Sequence, residues 1–184
     1  DDVDETTQIP AHSPGSLYGY TKVVGEGIVR NFQQFYDLDY TILRYGVAFG
    51  PGASDETVIS KFITRALEGQ PLVICGTGDV HRNFLYVTDH VRANILAMSP
   101  AAKNETFNIE GSEKITVKRV ADAVQRLTNR DVTIEYTPGR PGEFDGKNVS
   151  TAKAKAMLDW DPTMSFDEGM KLHHTWEADK LCHV

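Results

Sequence analysis

Tyr18 and Lys22 stand four positions apart in a stretch whose apolar residues recur at helical period, so their side chains share one helix face. A lysine ammonium beside a phenol favours the phenolate by charge proximity, which suits the phenol to act as a general base. The same ammonium can reach a ribose hydroxyl. By itself the pair is a weak signal, since a chain with this many tyrosines and lysines holds roughly 0.4 such pairs by chance. The plain alternative is an exposed tyrosine beside a solvated lysine. Arg82 and Arg140 sit in glycine-flanked turns of an acidic chain. A planar guanidinium suits bidentate phosphate contacts, and the plain alternative for each arginine is a surface salt bridge. Asp89 reads as the cap of the helix that follows it. His81, His90, His173 and His174 have no ligand spacing with a carboxylate or cysteine and read as surface or helix residues, so no metal site is expected. Cys75 lies in an apolar strand and reads as a small hydrophobe, and Trp160 and Trp176 read as packing residues.

The chain that must position these groups has 184 residues, 40% of them hydrophobic and 24% charged, which is enough for a real core and excludes disordered and fibrous classes. Its 19 Lys+Arg against 26 Asp+Glu leave a net charge of −7, so binding to nucleic acid by counterion release is not expected. The two cysteines, Cys75 and Cys182, lie 107 positions apart and match neither a zinc spacing nor a disulfide framework. No apolar run approaches the ~20 residues of a membrane helix, and the acidic start DDVDETTQ is unlike a signal peptide. The expectation is a soluble, cytoplasmic protein away from membranes, in which the sequons at Asn104 and Asn148 are coincidental.

The first fifteen residues read as a loop, and Ser16 to about Tyr36 as a long helix. Residues 39–45 (DYTILRY) read as a buried strand, followed by a Gly/Pro-terminated loop, VAFGPG. Val58–Leu67 is a second helix, PLVIC a short strand, GTGDVHR a turn, and NFLYV a strand leading into a helix at Asp89–Met98. Phe107–Glu110 reads as a strand, and Thr116 caps a helix at Val117–Leu127. The strand VTIEY and the long loop TPGRPGEFDGK come next, and two helices opened by Ser150 and Ser165 close the chain. Strands alternate with helices throughout, which predicts an α/β architecture with some parallel pairing.

The stretch SPGSLYGYTKVVGEGIV resembles the Tyr-x-x-x-Lys segment of the extended short-chain dehydrogenase/reductases, the NAD-dependent sugar epimerases and dehydratases. LRYGVAFGPG, GQPLVICGTGDVHRNFLYVTDHVRANI, FNIEGSEKITVKRVADAV and RPGEFDGKNVSTAKAKAMLDWDPTMSFDEGM follow in that family's order, so the resemblance covers about residues 8–170. It implies Tyr18 as catalytic acid/base, taking a hydroxyl proton while hydride passes to NAD. It makes Lys22 the group that holds the nicotinamide ribose and favours ionised Tyr18. Tyr45 and Gly46 would lie beside the nicotinamide, and Arg82 and Arg140 on the substrate diphosphate. Val47, Phe49 and Val73 match positions around the nucleotide sugar, although Phe49 and Val73 have a plain core reading. The implied fold is the C-terminal part of a Rossmann-like doubly wound sheet (residues 1–50) with a small substrate-binding domain (mainly 51–184), some segments returning to the Rossmann part. The family's habit also implies a homodimer through the Tyr18/Lys22 helix, with Val24, Ile28 and Phe32 on the apolar face.

The sequence departs from the family in four ways. A Rossmann half carries a Gly-rich turn with an acidic residue about 20 positions further on, and no such turn occurs here. The Ser or Thr that the family places well before the tyrosine is also absent. Val47 stands where many members have an Asn, which a valine cannot replace as a hydrogen-bond donor, and Asn83 stands where an Asp is usual. The expectation is the C-terminal part of a parent of about 300 residues, inactive alone for want of a dinucleotide cradle. The alternatives are a non-catalytic nucleotide-sugar-binding or assembly module, and a related dehydratase, reductase or decarboxylase.

Overall fold

The computed structural model describes residues 2–8, 16–139 and 146–182. Its elements alternate as the sequence predicts: α1 (Leu17–Tyr36), β1 (Thr41–Tyr45), β2 (Val47–Phe49), α2 (Val58–Leu67), β3 (Leu72–Cys75), β4 (His81–Tyr86) and α3 (Val87–Leu96). β5 (Glu105–Ile109), β6 (Lys114–Thr116), α4 (Val117–Thr128), β7 (Ile134–Thr137), α5 (Ala152–Leu158) and α6 (Phe166–Cys182) follow. The α/β class expected from the sequence holds. The chain divides into two compact units, the first made of Asp1–Tyr45, His90–Glu110 and Lys147–Asp161, the second of Gly46–Asp89, Gly111–Gly146 and Pro162–Val184.

In the first unit β1 and β5 pair in parallel, from Thr41 opposite Glu105 to Tyr45 opposite Ile109. β5 is buried from Thr106 to Ile109, and Trp160 is sealed beside α5. α1 starts where the Ser16 hydroxyl accepts the Gly19 amide at 3.0 Å and ends where Asp37 turns into the left-handed region at φ 54°. It carries no buried residue over its 20 positions, leaving apolar groups exposed along its length. An ion-pair cluster ties it to the strands. Glu26 accepts two hydrogen bonds from Arg44 of β1, at 2.7 and 2.9 Å, and Arg30 reaches both Glu26 (3.0 Å) and Thr106 of β5 (3.2 Å).

In the second unit β4 is the centre of a three-stranded sheet, parallel to β2 and antiparallel to β6, while β3 pairs in parallel with β7. Helices α2, α4 and α6 cover a core of Ile59, Phe62, Ile63, Leu72, Ile74, Val120, Val124 and Met170. Thr57 and Thr116 cap α2 and α4, as threonines before apolar-periodic runs should. α6 opens with a capping box in which the Glu168 carboxylate accepts from the Ser165 amide and hydroxyl, and the Ser165 hydroxyl accepts from the Glu168 amide.

Several expectations change. β6 arises where no element was expected, β4 takes in His81 and Arg82 of the expected GTGDVHR turn, and α3 begins at Val87 rather than Asp89. VAFGPG does not begin as a loop, because Val47, Ala48 and Phe49 pair with Phe84, Leu85 and Tyr86 and make β2. Ser150 precedes the cap of α5, which is Thr151 without a side-chain cap bond, although its hydroxyl accepts the Ala152 amide at 3.3 Å.

Candidate active site

Tyr18 and Lys22 lie on the first turns of α1, and the Lys22 ammonium stands 4.9 Å from the centroid of the Tyr18 ring. The phenol is 71% exposed. A cation held over a reachable phenol can steady the phenolate and leaves the hydroxyl free to meet a substrate. The Glu26–Arg44 pair fixes the same helix one turn further on. That pair is largely sheltered, and the Arg44 guanidinium holds the Glu26 carboxyl below the usual carboxylate range.

Tyr45 ends β1, with its ring edge-on to the His90 ring at 3.7 Å. Burial pushes its phenol up, against a smaller opposing contribution from Asn94. Gly46 follows directly, at the point where the chain passes from the first unit to the second.

The second unit contains a cavity of about 230 Å³ that brings together Val47 of β2 and Arg82 of β4. Val58 of α2, Cys75 of β3, Phe84 of β4, Ile115 of β6, Val117 of α4 and the intervening Val80 complete its lining. Among the described lining residues Arg82 is the one charged side chain, with a guanidinium nitrogen donating to the His81 carbonyl at 2.7 Å. The β3–β4 turn leading to Arg82 depends on Gly78, whose φ of +77° favours glycine and where a Cβ would press on Ile74 and Lys118 at 3.0 Å.

The other sequence candidates are placed differently. Phe49 is 3% exposed, its ring closed in by Phe84, Tyr86 and Phe166. It meets the cavity only through Phe84, whose ring lies 6.0 Å away. Val73 lines no part of the cavity but shares its face of β3 with Cys75, two residues on. That alternation was the signal for Cys75, which is a half-buried wall residue rather than a core hydrophobe. Arg140 lies outside the described residues.

Asp89 is no cap. It sits inside the first turn of α3, and its buried carboxylate accepts from the Thr163 amide and hydroxyl and the Met164 amide at 2.7–3.0 Å, tethering that loop. His90 and His174 lie on helices as expected and His81 lies on β4 instead, while His173 is a residue of helix α6. It is wholly buried, with its Nε2 3.2 Å from the Ser60 hydroxyl and 3.5 Å from a Glu177 carboxylate oxygen. The i, i+4 spacing of His173 and Glu177 on α6 was legible as a shared face, but its burial was not. Among the described residues no group of three His, Cys, Asp or Glu side chains is placed to hold a metal ion.

Residues 1–109 match the model of the NAD dependent epimerase/dehydratase family. The chain belongs to this family. A dTDP-glucose 4,6-dehydratase of Salmonella typhimurium is 32% identical over 178 residues, covering 92% of this chain and 49% of the relative. The solved UDP-glucose 4-epimerase of Thermotoga maritima, with UDP-glucose, superposes with a TM-score of 0.85 at 35% identity, covering 89% of this chain and 54% of that one. The UDP-glucuronic acid 4-epimerase of Bacillus cereus, solved with UDP-glucuronic acid and NAD, superposes at 0.90 with 26% identity over 98% of this chain and 57% of its own. The chain spans about half the length of the curated relatives it matches. The fold of this family member is therefore the Rossmann-like α/β arrangement expected from the sequence.

Proposed function

We propose that this family member supplies the acid/base helix and the nucleotide-sugar pocket of an NAD-dependent epimerase or dehydratase, with a UDP-sugar 4-epimerase as the working type. The observation that carries the reading is the exposed Tyr18 phenol with the Lys22 ammonium 4.9 Å from its ring. In this role Tyr18 takes the proton of a sugar hydroxyl and returns it, and Lys22 steadies the phenolate and holds a ribose hydroxyl. NAD, when bound, supplies the hydride acceptor and donor. The residues present fit the nicotinamide-ribose end of that cofactor, because Tyr18 and Lys22 are both open to solvent on one helix face and Tyr45–Gly46 end the neighbouring strand. They provide no glycine-rich turn for its pyrophosphate.

Arg82 is the anion anchor of the substrate, supported by its place as the one cation among the described lining residues of the cavity, and Arg140 is the second. Val47 forms an apolar wall of that cavity, Phe49 braces it through Phe84, and Val73 flanks it on β3. In this reading residues 1–50 are the cofactor-domain remnant and 51–184 mainly the substrate domain, with some segments returning to the cofactor part; the packing of 90–110 and 147–161 with 1–45 supports the return, while 46–50 pack with the second unit. The exposed Val24, Ile28 and Phe32 of α1 line a groove of about 480 Å³ that suits a homodimer through this helix. No helix among the described residues is long and apolar enough to cross a membrane, in keeping with a cytoplasmic place.

Calorimetric titration of the 184-residue chain tests the reading. UDP-glucose or dTDP-glucose should bind, and Arg82→Ala should weaken binding by about 10–100-fold, as expected when a charge-assisted hydrogen bond is lost. Absence of binding by either sugar nucleotide refutes it. NAD should not bind tightly, and stoichiometric NAD binding would overturn the proposal that the chain alone is inactive.

A further inference from the structure

We infer that Arg44 is a positioning residue for the Tyr18/Lys22 pair: by engaging the Glu26 carboxylate it keeps that carboxylate from drawing the Lys22 ammonium off the Tyr18 ring. The inference rests on the acid/base reading of Tyr18 above. Tyr18, Lys22, Glu26 and Arg30 follow one another at four-residue steps on α1, so each side chain neighbours the next along one ridge of the helix. Lys22 stands between two partners on that ridge, the ring four residues before it and the carboxylate four residues after it. On a helix surface a carboxylate at that spacing is a lysine's ordinary ion-pair partner. The structure turns the ammonium the other way, to 4.9 Å from the Tyr18 centroid.

The group that holds Glu26 elsewhere comes from β1. Arg44 Nε donates to Glu26 Oε1 at 2.7 Å, and Nη2 of the same guanidinium donates to Oε2 at 2.9 Å. This two-point contact fixes the direction of the carboxylate as well as balancing its charge. Arg30 adds a hydrogen bond to Oε2 at 3.0 Å, whereas among the described residues Oε1 is met by Arg44 alone. The Glu26 side chain is 15% exposed, so without Arg44 its Oε1 would be short of both water and a donor. Arg30 already serves Oε2, and Lys22 is the next cation along the ridge, one turn away. Arg44 therefore does more than fasten the helix to the strand, because it also leaves the ammonium to the phenol.

Proton NMR of the full 184-residue chain tests this, because methylene protons held over an aromatic ring are shielded by its ring current. In the parent the Lys22 ε-methylene signals should be shifted upfield, and Tyr18→Leu should remove the shift. Arg44→Met should lose about half of it, the share that an i, i+4 ion pair of ordinary strength draws away, and Arg44→Gln should do the same. The double variant Arg44→Met/Glu26→Gln should regain the parent value, because it lacks the same clamp but carries no carboxylate to capture Lys22. If Arg44 merely fastened the helix, the double variant would stay as far from the parent as the single. That result overturns the inference, as does a full parental shift in Arg44→Met, and both leave the Tyr18/Lys22 reading standing. Lys22 signals that Tyr18→Leu does not move would remove the contact itself, and the inference with it.

Discussion

Replacing His173 by leucine tests the buried polar cluster of the second unit. His173 is 0% and Glu177 1% exposed, and the ring bridges α6 to Ser60 of α2. Leucine keeps the apolar volume approximately but leaves the Glu177 carboxylate sealed in with the Lys180 ammonium at 3.5 Å and no imidazole. Burial keeps the His173 ring neutral near pH 7, so its removal costs a buried hydrogen bond rather than an ion pair, about 1–3 kcal/mol. His173→Leu should therefore lose about 1–3 kcal/mol, and the double variant His173→Leu/Glu177→Leu should recover most of it. In urea, with a slope of about 2 kcal/mol/M, the midpoint of the single variant falls by about 0.5–1.5 M. Tryptophan fluorescence is a suitable probe, because the Trp176 ring lies 6.1 Å from His173.

The pH profile supplies a second readout. Burial holds the His173 imidazole below its usual value of 6.5, against the weaker opposing pull of Glu177, with Lys180 reinforcing the lowering. The unfolded chain then binds the proton more readily than the fold. This contribution to stability is present above pH 6.5 and is lost as pH falls through the folded value. The leucine variant should lack that acid-side loss. A single variant as stable as the parent, or a double variant no better than the single, refutes the reasoning.

Two further substitutions probe the edges of the units. Burial pushes the Glu110 carboxyl from 4.5 up to about 7, a displacement equivalent to about 3 kcal/mol. Here the fold binds the proton more tightly, so the contribution is full below pH 4.5 and is lost as pH rises through about 7. Glu110→Gln should exceed the parent in stability by about 3 kcal/mol at pH 8 in urea unfolding, with the difference closing in acid; a constant difference contradicts this. At Gly111 a Cβ would stand 1.9 Å from the Phe84 carbonyl oxygen, a backbone atom of β4. Gly111→Ala should cost about 3 kcal/mol and lower Tm by roughly 6–12 °C, and an unchanged Tm would show that β4 yields at no cost.

The elements that local chemistry controls were legible in the sequence. α1, α2 and α4 have periodic apolar faces and side-chain caps at Ser16, Thr57 and Thr116, all decided within a few residues. The Tyr18/Lys22 pair was legible for the same reason, since a helix brings i and i+4 together without help from distant chain. β2 and β6 were not, because strands of three residues exist only through their pairing with β4. Asp89 shows the same limit. Its sequence neighbours suggest a cap, and its partners, Thr163 and Met164, lie 74 and 75 positions away.

The sequence by itself thus determined the α/β class, the family and the placing of Tyr18 and Lys22 on one helix face. Only the tertiary structure decided that Val47, Cys75 and Arg82 share one cavity, that Phe49 lies behind its wall, and that His173 is sealed in the core. The physical reason is one of range. Helical period and capping act over three or four residues, whereas burial and the lining of a cavity depend on which distant segments arrive on the other side.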